Sequence, residues 1–267
     1  MILSGKALRE QFISELRSDS DLNQLSFFLY GRKDDLPCLS YLKGIKRSLD
    51  IFKIPYQEAY FDETLPKEEN LRIFQEGSKS AYTILARPLH SSYEAEFVTR
   101  INPLYDPDMM TIENIGHLYS GDLDYLPATA QSCRFLIDAY QLKLKGSKVL
   151  IVGRSLTVGK PLWQLASYYD AFVAVAHSKI DEKTLNVFAS SADYIFFASG
   201  KSGLVKRSSI HPETTIIDCG FSPEGGDLGF IPEEKEVKAY TPVPGGVGAL
   251  TSLCLIKNAL MLSHKKH

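Results

Sequence analysis

Two short polar runs carry the residue types that grip a phosphate. Gly153-Arg154-Ser155 follows the apolar run Val149-Leu150-Ile151-Val152, and His177-Ser178-Lys179 follows Ala171-Phe172-Val173-Ala174-Val175-Ala176. A guanidinium, hydroxyls, an imidazole and an ammonium can surround an anion with charge-assisted donors. A unit built for NAD ends its second strand in Asp or Glu, which holds the ribose 2′-hydroxyl. No carboxylate stands at that point here. A 2′-phosphate, and hence NADP, fits this pocket better than NAD. The alternative is a solvated basic loop, which a short motif alone does not exclude.

These residues need a strand, a tight turn and a helix to present them. Four apolar residues without polar alternation read as a strand covered on both faces. Gly153 supplies the turn, and Val158 and Gly159 open a helix whose free N–H groups suit a pyrophosphate. The spacing departs from G-x-G-x-x-G, because Ser155 stands at the second glycine and the last glycine comes later. Two further strands, Tyr194 to Ala198 and Thr215 to Cys219, break at Gly200 and Gly220, where backbone can approach a ligand. The run Thr241-Pro242-Val243-Pro244-Gly245-Gly246-Val247-Gly248 is too rich in proline and glycine for regular structure. It reads as a ligand-facing loop leading into a helix over 249–262. Residues 225–229 read as a surface loop.

The first half alternates in the same way. Helical periods run over 7–16, 41–52 and 67–75, and strands over 25–30, 57–61 and 83–86, with Gly31 closing the first strand. Residues 102–125, with two prolines and two glycines, read as loops and short helices joining two domains. A helix over 130–140 precedes the cofactor unit, and another over 181–189 follows its second strand. The fold class is therefore α/β.

Bulk properties set the outer limits. A chain of 267 residues holds one large domain or two small ones. A net charge of −2 with 23% charged residues gives no sign of nucleic acid or an anionic membrane as partner. The N-terminus shows neither a signal peptide nor a membrane span, and a cytoplasmic protein is expected. The four cysteines, Cys38, Cys133, Cys219 and Cys254, lack C-x-x-C spacing, which argues against a zinc site and a disulfide framework. Cys219 and Cys254 are expected to be buried thiols.

The ordered set Gly153-Arg154-Ser155 with Val158-Gly159-Lys160-Pro161, His177-Ser178-Lys179, Asp218-x-Gly220 and Thr241 to Gly248 resembles the methylenetetrahydrofolate dehydrogenase/cyclohydrolase family. Ser4-Gly5-Lys6, Tyr41, Leu126-Pro127 and Thr129 extend the likeness over nearly the whole chain. The resemblance implies two α/β domains with a cleft between them. Residues 1–129, completed by a closing helix over 249–267, would form the catalytic, folate-binding domain. Residues 130–248 would form a Rossmann NADP-binding domain. The family's chemistry is NADP-linked oxidation of methylene-tetrahydrofolate to the methenyl form, then hydrolysis to formyl-tetrahydrofolate, commonly in homodimers. Gly153, Arg154, Ser155, Val158, Gly159, His177, Ser178, Lys179, Gly200 and Gly220 would hold the cofactor. Tyr41, Asp108, Pro244, Gly245, Gly246, Val247 and Gly248 would meet a tetrahydrofolate-type substrate.

The sequence departs from the family where the hydrolysis is done. The family's Tyr-x-x-x-Lys, aligned on Tyr41, puts Ile45 at the lysine, and Ile has no proton to give or take. Lys43 and Lys46 are neighbours but project from other faces of a helix. The glutamine that pairs with that lysine is Ala86 here, in Leu85-Ala86-Arg87-Pro88-Leu89-His90. The family's Asp-x-Asp-Gly reads Asp106-Pro107-Asp108-Met109. The resemblance thus implies an NADP-dependent dehydrogenase with cyclohydrolase activity weak or lost. Two alternatives stand beside it. Arg87 and His90 could serve another substrate of an NADP-dependent dehydrogenase, or the chain could be a non-catalytic NADP- or folate-binding relative.

Overall fold

Strand and helix alternate along most of the chain, and the apolar runs fall on the strands and on one face of the helices. The structure is a computed structural model, and it describes residues 1–220 and 225–266. Residues 221–224, within the expected cofactor domain, and His267, at the end of the expected closing helix, lie outside the described residues. The chain begins with α1 (Gly5–Arg17), β1 (Phe27–Arg32), α2 (Leu36–Phe52), β2 (Tyr56–Phe61), α3 (Lys67–Ser78) and β3 (Tyr82–Leu85). Two short helices follow, α4 (Glu94–Val98) and α5 (Ile112–Tyr119). Next come α6 (Ala128–Ala139), β4 (Lys148–Val152), α7 (Gly159–Tyr168), β5 (Phe172–Ala176) and α8 (Glu182–Ser191). Then β6 (Tyr194–Phe197), β7 (Thr215–Asp218) and β8 (Ala239–Tyr240) lead to α9 (Thr251–His264).

The chain divides into two compact units. One comprises Gln11–Ser120 and the stretch from Ser252 onward, the other Met1–Glu10 and Gly121–Thr251. These edges differ from the expected division at 129/130 and 248/249. The first residues join the second unit because Leu3 N donates to Tyr240 O at 2.8 Å and Ile2 bridges to Tyr240.

The first unit holds a parallel sheet of order β2-β1-β3. All six residues of β1 are buried, so its sequence shows no polar alternation. Tyr30, Phe74 and Phe97 pack on one side, with ring centroids 5.1 to 5.4 Å apart. Gly31 does not close this strand but lies inside it, where a Cβ would press on Cys38 Sγ at 2.5 Å. Helix α2 begins a turn before Tyr41. Asp35 caps it by accepting from Cys38 N at 2.7 Å, and Pro37 fits the first turn. Leu42, Ile45, Leu49 and Phe52 form its buried stripe.

The second unit holds a parallel sheet of order β5-β4-β6-β7-β8. Its core joins Leu150, Val152, Ile195, Phe197 and Ile216 to Leu185 and Ala189 of α8. Val152 is registered with Ala176 and Phe197, and Phe197 with Asp218, so four strands end level. The strand-end residues Gly153, His177, Ser199 and Gly220 therefore share one sheet edge. Residues 225–229 are not simply a surface loop. Asp227 and Leu228 are 3% and 4% exposed, because Asp227 bonds to backbone and Leu228 joins the core. Cys254 is buried, whereas Cys219 is half-buried, with its Sγ 3.4 Å from Cys133 Sγ. Among the described residues, no helix is long and apolar enough to cross a membrane.

Candidate functional site

The turn after β4 closes only because of its glycines. Gly153 has φ of +134°, and a Cβ there would collide with the Ala198 carbonyl oxygen. A Cβ on Gly159 would collide with the Gly153 carbonyl oxygen, so the first turn of α7 packs directly on the glycine turn. Ser155, at the second-glycine position, braces the turn that leads into that helix. Its Oγ accepts from Val158 N at 3.2 Å and Gly159 N at 3.3 Å. Arg154 and Ser155 are exposed. At the end of β5, His177 Nδ1 accepts from Lys179 N at 3.2 Å, and Ser178 and Lys179 are exposed. Among the described residues no carboxylate pairs with Arg154 or Lys179. The chemistry of this donor set, cationic and hydroxyl-bearing at the sheet edge, fits a phosphorylated adenosine of the NADP type.

Two buried carboxylates, which the sequence did not single out as a pair, organise the rest of this edge. Asp227 Oδ2 accepts from Ser199 N at 2.7 Å, Ser199 Oγ at 3.0 Å and Gly200 N at 2.8 Å. Asp218 Oδ1 accepts from Gly220 N at 2.8 Å and Asp227 N at 3.1 Å, and its Oδ2 from Leu228 N at 2.9 Å. Burial pushes the Asp218 carboxyl above the usual carboxylate range, against the pull of those three N–H donors; the nearby Asp227 charge adds to the rise. A Cβ on Gly220 would collide with Asp227 Oδ1, so this position must be glycine. Asp218 N donates to Thr241 Oγ1 at 2.7 Å, which ties the run from Thr241 to the sheet. In that run Gly246 and Val247 are buried, Gly245 is half-buried at φ +107°, and Pro244 and Gly248 are exposed. Gly246 is packed against Thr241 and Pro242, and Pro244 and Gly248 present themselves to solvent.

The first unit brings Tyr41 and Asp108 together. The Tyr41 hydroxyl donates to the Asp108 carboxylate. Desolvation by burial, then the Asp108 charge and hydrogen bond, hold the phenol far above its ordinary pKa, so it stays a donor. Ile45, one turn along α2, is 1% exposed. Lys46 is turned away and engaged, its Nζ 2.9 Å from Glu58 Oε2, and Lys43 is exposed. Ala86 is buried beside Gly31 and brings no amide. Met109 follows Asp108 with φ of +52° and 1% exposure. The left-handed backbone suited to the family's glycine is thus kept, at a cost of about 1–2 kcal/mol for a residue with a Cβ. Asp106 holds this turn by accepting from Met110 N, Thr111 N and Thr111 Oγ1 at 2.8 to 3.0 Å. Arg87 is exposed, and His90 Nε2 lies 3.4 Å from Asp35 Oδ2. Elsewhere in this unit, Asp19, Asp21 and His264 offer atoms within 4.8 Å of one another and link the end of α9 to the turn before β1.

The second unit is a parallel, glycine-turned α/β sheet of the dinucleotide-binding class, and the first unit is a smaller α/β layer. Residues 127–267 match the family described as tetrahydrofolate dehydrogenase/cyclohydrolase, NAD(P)-binding domain. The chain is 31% identical over 273 residues to bifunctional protein FolD of Clostridium perfringens, covering 96% of this chain and 97% of that protein. The chain belongs to the tetrahydrofolate dehydrogenase/cyclohydrolase family. It is also 40% identical over 171 residues to bifunctional protein FolD 2 of Lactobacillus johnsonii. That match spans 62% of this chain and 60% of the relative's length. The solved structure of a 5,10-methylenetetrahydrofolate dehydrogenase from the silkworm, Bombyx mori, superposes with a TM-score of 0.89 at 25% identity, covering 100% of this chain and 98% of that one.

Proposed function

We propose that the protein oxidises methylene-tetrahydrofolate to methenyl-tetrahydrofolate with NADP, and that its cyclohydrolase activity is weak or lost. The observation that carries this reading is a contrast between the units. The glycine turn and its basic, hydroxyl-bearing rim are complete, while the position of the hydrolytic lysine is filled by buried Ile45. Residues 121–251 would bind the cofactor through Gly153, Arg154, Ser155, Val158, Gly159, His177, Ser178, Lys179, Gly200 and Gly220. Residues 11–120, with α9, would bind the folate through Tyr41 and Asp108, and the loop Pro244-Gly245-Gly246-Val247-Gly248 would border it. NADP, when bound, accepts the hydride from the substrate's methylene carbon. Arg154 and Ser178 would bind the 2′-phosphate, and the α7 N-terminus would face the pyrophosphate. Asp108, oriented by Tyr41, would fix the pterin. Orientation is most of what hydride transfer asks of a protein, so it survives the loss of an acid or base. Hydrolysis needs a group that moves a proton, and Ile45 has none. A homodimer and a cytoplasmic setting belong to the same reading.

A spectrophotometric assay with methylene-tetrahydrofolate tests this. NADP is reduced, and the methenyl product accumulates without conversion to formyl-tetrahydrofolate. Absence of NADP reduction by the folded protein overturns the dehydrogenase. Tight NADP binding with no folate binding in calorimetry would assign the cofactor to a different substrate. The NADP preference is checked by Arg154→Ala. Losing one charge-assisted contact raises the KM for NADP about tenfold to a hundredfold and leaves that for NAD within about threefold.

A further inference from the structure

We propose that Asp227 is a positioning residue for the cofactor, acting through the Ser199-Gly200 turn at the end of β6. The inference rests on the reading that this sheet edge binds NADP. Asp227 lies in the segment between Gly225 and Gly229, far in sequence from the turn it holds. One oxygen, Oδ2, gathers both backbone N–H groups of the turn and the Ser199 hydroxyl, all within 3.0 Å. Gly200 is exposed with φ of +67°, and a Cβ built on it meets no atom within 4 Å. The turn therefore has open space in front of Gly200 and the buried Asp227 carboxylate as an anchor behind it, with Ser199 Oγ also bonded to Lys201 N and O.

That anchor fixes which way the turn faces. With both N–H groups directed into the carboxylate, the turn offers a ligand its carbonyl oxygens and the open face of Gly200. Without the carboxylate, two part-buried backbone N–H groups would lose their shared acceptor, and the turn would rotate to find other partners. The carboxylate is itself anchored, since Asp227 N donates to Asp218 Oδ1 at 3.1 Å and Asp218 also takes Gly220 N and Leu228 N. A chain of hydrogen bonds thus runs from the end of β7 through Asp227 to the end of β6. Asp227 touches neither substrate nor cofactor in this scheme; it determines where Gly200 stands when the cofactor arrives.

Titration of protein fluorescence with NADPH, on the wild type, Asp227→Asn and Asp227→Ala, tests the proposal. Wild-type binding of NADPH is the first control, and its failure would sink the cofactor reading and this inference with it. Given that binding, Asp227→Ala weakens NADPH at least about tenfold, the loss expected when the turn's donors lose their shared acceptor. Asp227→Asn keeps an oxygen for all three donors and stays within about threefold of wild type. The KM for methylene-tetrahydrofolate is unchanged in both, which a general loosening of the fold would not allow. A folded Asp227→Ala protein that binds NADPH like wild type overturns the proposal, as does equal weakening by the alanine and asparagine variants. Should Asp227→Ala fail to fold, Ser199→Ala decides, because it removes the hydroxyl donor to the carboxylate, along with its bonds to Lys201 N and O, and leaves Asp227 in place. Weakening of about threefold or more supports the proposal, and unchanged binding overturns it.

Discussion

Ile45 is the residue on which the division of labour turns. It is 1% exposed, one helical turn from a Tyr41 that is bonded to Asp108, so it lies beside the residues proposed to hold the pterin. Neither nearby lysine substitutes for the missing amine: Lys46 is paired with Glu58 and Lys43 points to solvent. Replacing Ile45 by Lys alone buries an ammonium without a partner, which costs several kcal/mol and lowers the melting temperature. Adding Ala86→Gln supplies an amide oxygen to accept from it. We expect the Ile45→Lys/Ala86→Gln protein to recover some of that stability and to gain hydrolysis of methenyl-tetrahydrofolate by about a hundredfold or more over wild type, the usual worth of a positioned proton-transfer group. Decay of the methenyl absorbance measures it. A wild type that already hydrolyses the methenyl compound as fast as it forms it would refute the assignment of Ile45. Met109 shows the same erosion in backbone terms, because it keeps a left-handed conformation for which its side chain is poorly suited.

At the scale of elements, the ends of β6 and β7 are held by two buried carboxylates, Asp227 and Asp218. Asp218 closes β7 while 3% exposed, and burial raises its pKa. Below the ordinary Asp pKa of about 3.9 the group is protonated in both folded and unfolded chains. Between that value and the raised folded one, the unfolded chain ionises while the folded chain resists, so the favourable contribution shrinks and is lost once pH passes the folded value. The stability of wild type relative to Asp218→Asn is therefore expected to be greatest in acid and to shrink toward neutral pH. Urea midpoints at several pH values between about 4 and 7 check it, spanning the usual carboxylate range. A gap that widens with pH would contradict the burial argument. The strand-turn-helix around Gly153 was legible in sequence because an apolar run and two obligatory glycines announce it. Asp227 was not, since a lone acid in a glycine-rich stretch looks like solvent-facing loop, and its partners Ser199 and Gly200 are 28 and 27 residues away. The early start of α2 was hidden by Pro37, which breaks helices inside but fits their first turn. Strand β8 has two residues, too few to show a period. Tyr41 and Asp108 were joined in sequence only through the family resemblance, because their spacing has no local signature.

At the scale of the whole molecule, β5 offers an edge through which the proposed homodimer would form. Among the described residues it is an edge strand whose strand neighbour is β4, and Phe172–Ala176 contains no charge and no proline. Edge strands are normally guarded by lysines, prolines or bulges, since their free N–H and C=O groups recruit other strands. Here Phe172 is 68% exposed, and α7, which packs against β5, exposes Trp163 and Tyr168. Two copies related by a twofold axis can pair β5 with β5 antiparallel, each offering the same surface to the other. Such pairing satisfies the free backbone groups and covers the apolar border in one step. The proposed homodimer is therefore expected to form through this edge. Light scattering should give wild-type protein twice the 29.8 kDa mass of the chain. The Phe172→Lys/Val173→Lys variant should give a single chain mass, because paired strands would then bring like charges face to face. A monomeric wild type, or a variant that remains dimeric, would remove β5 as the contact.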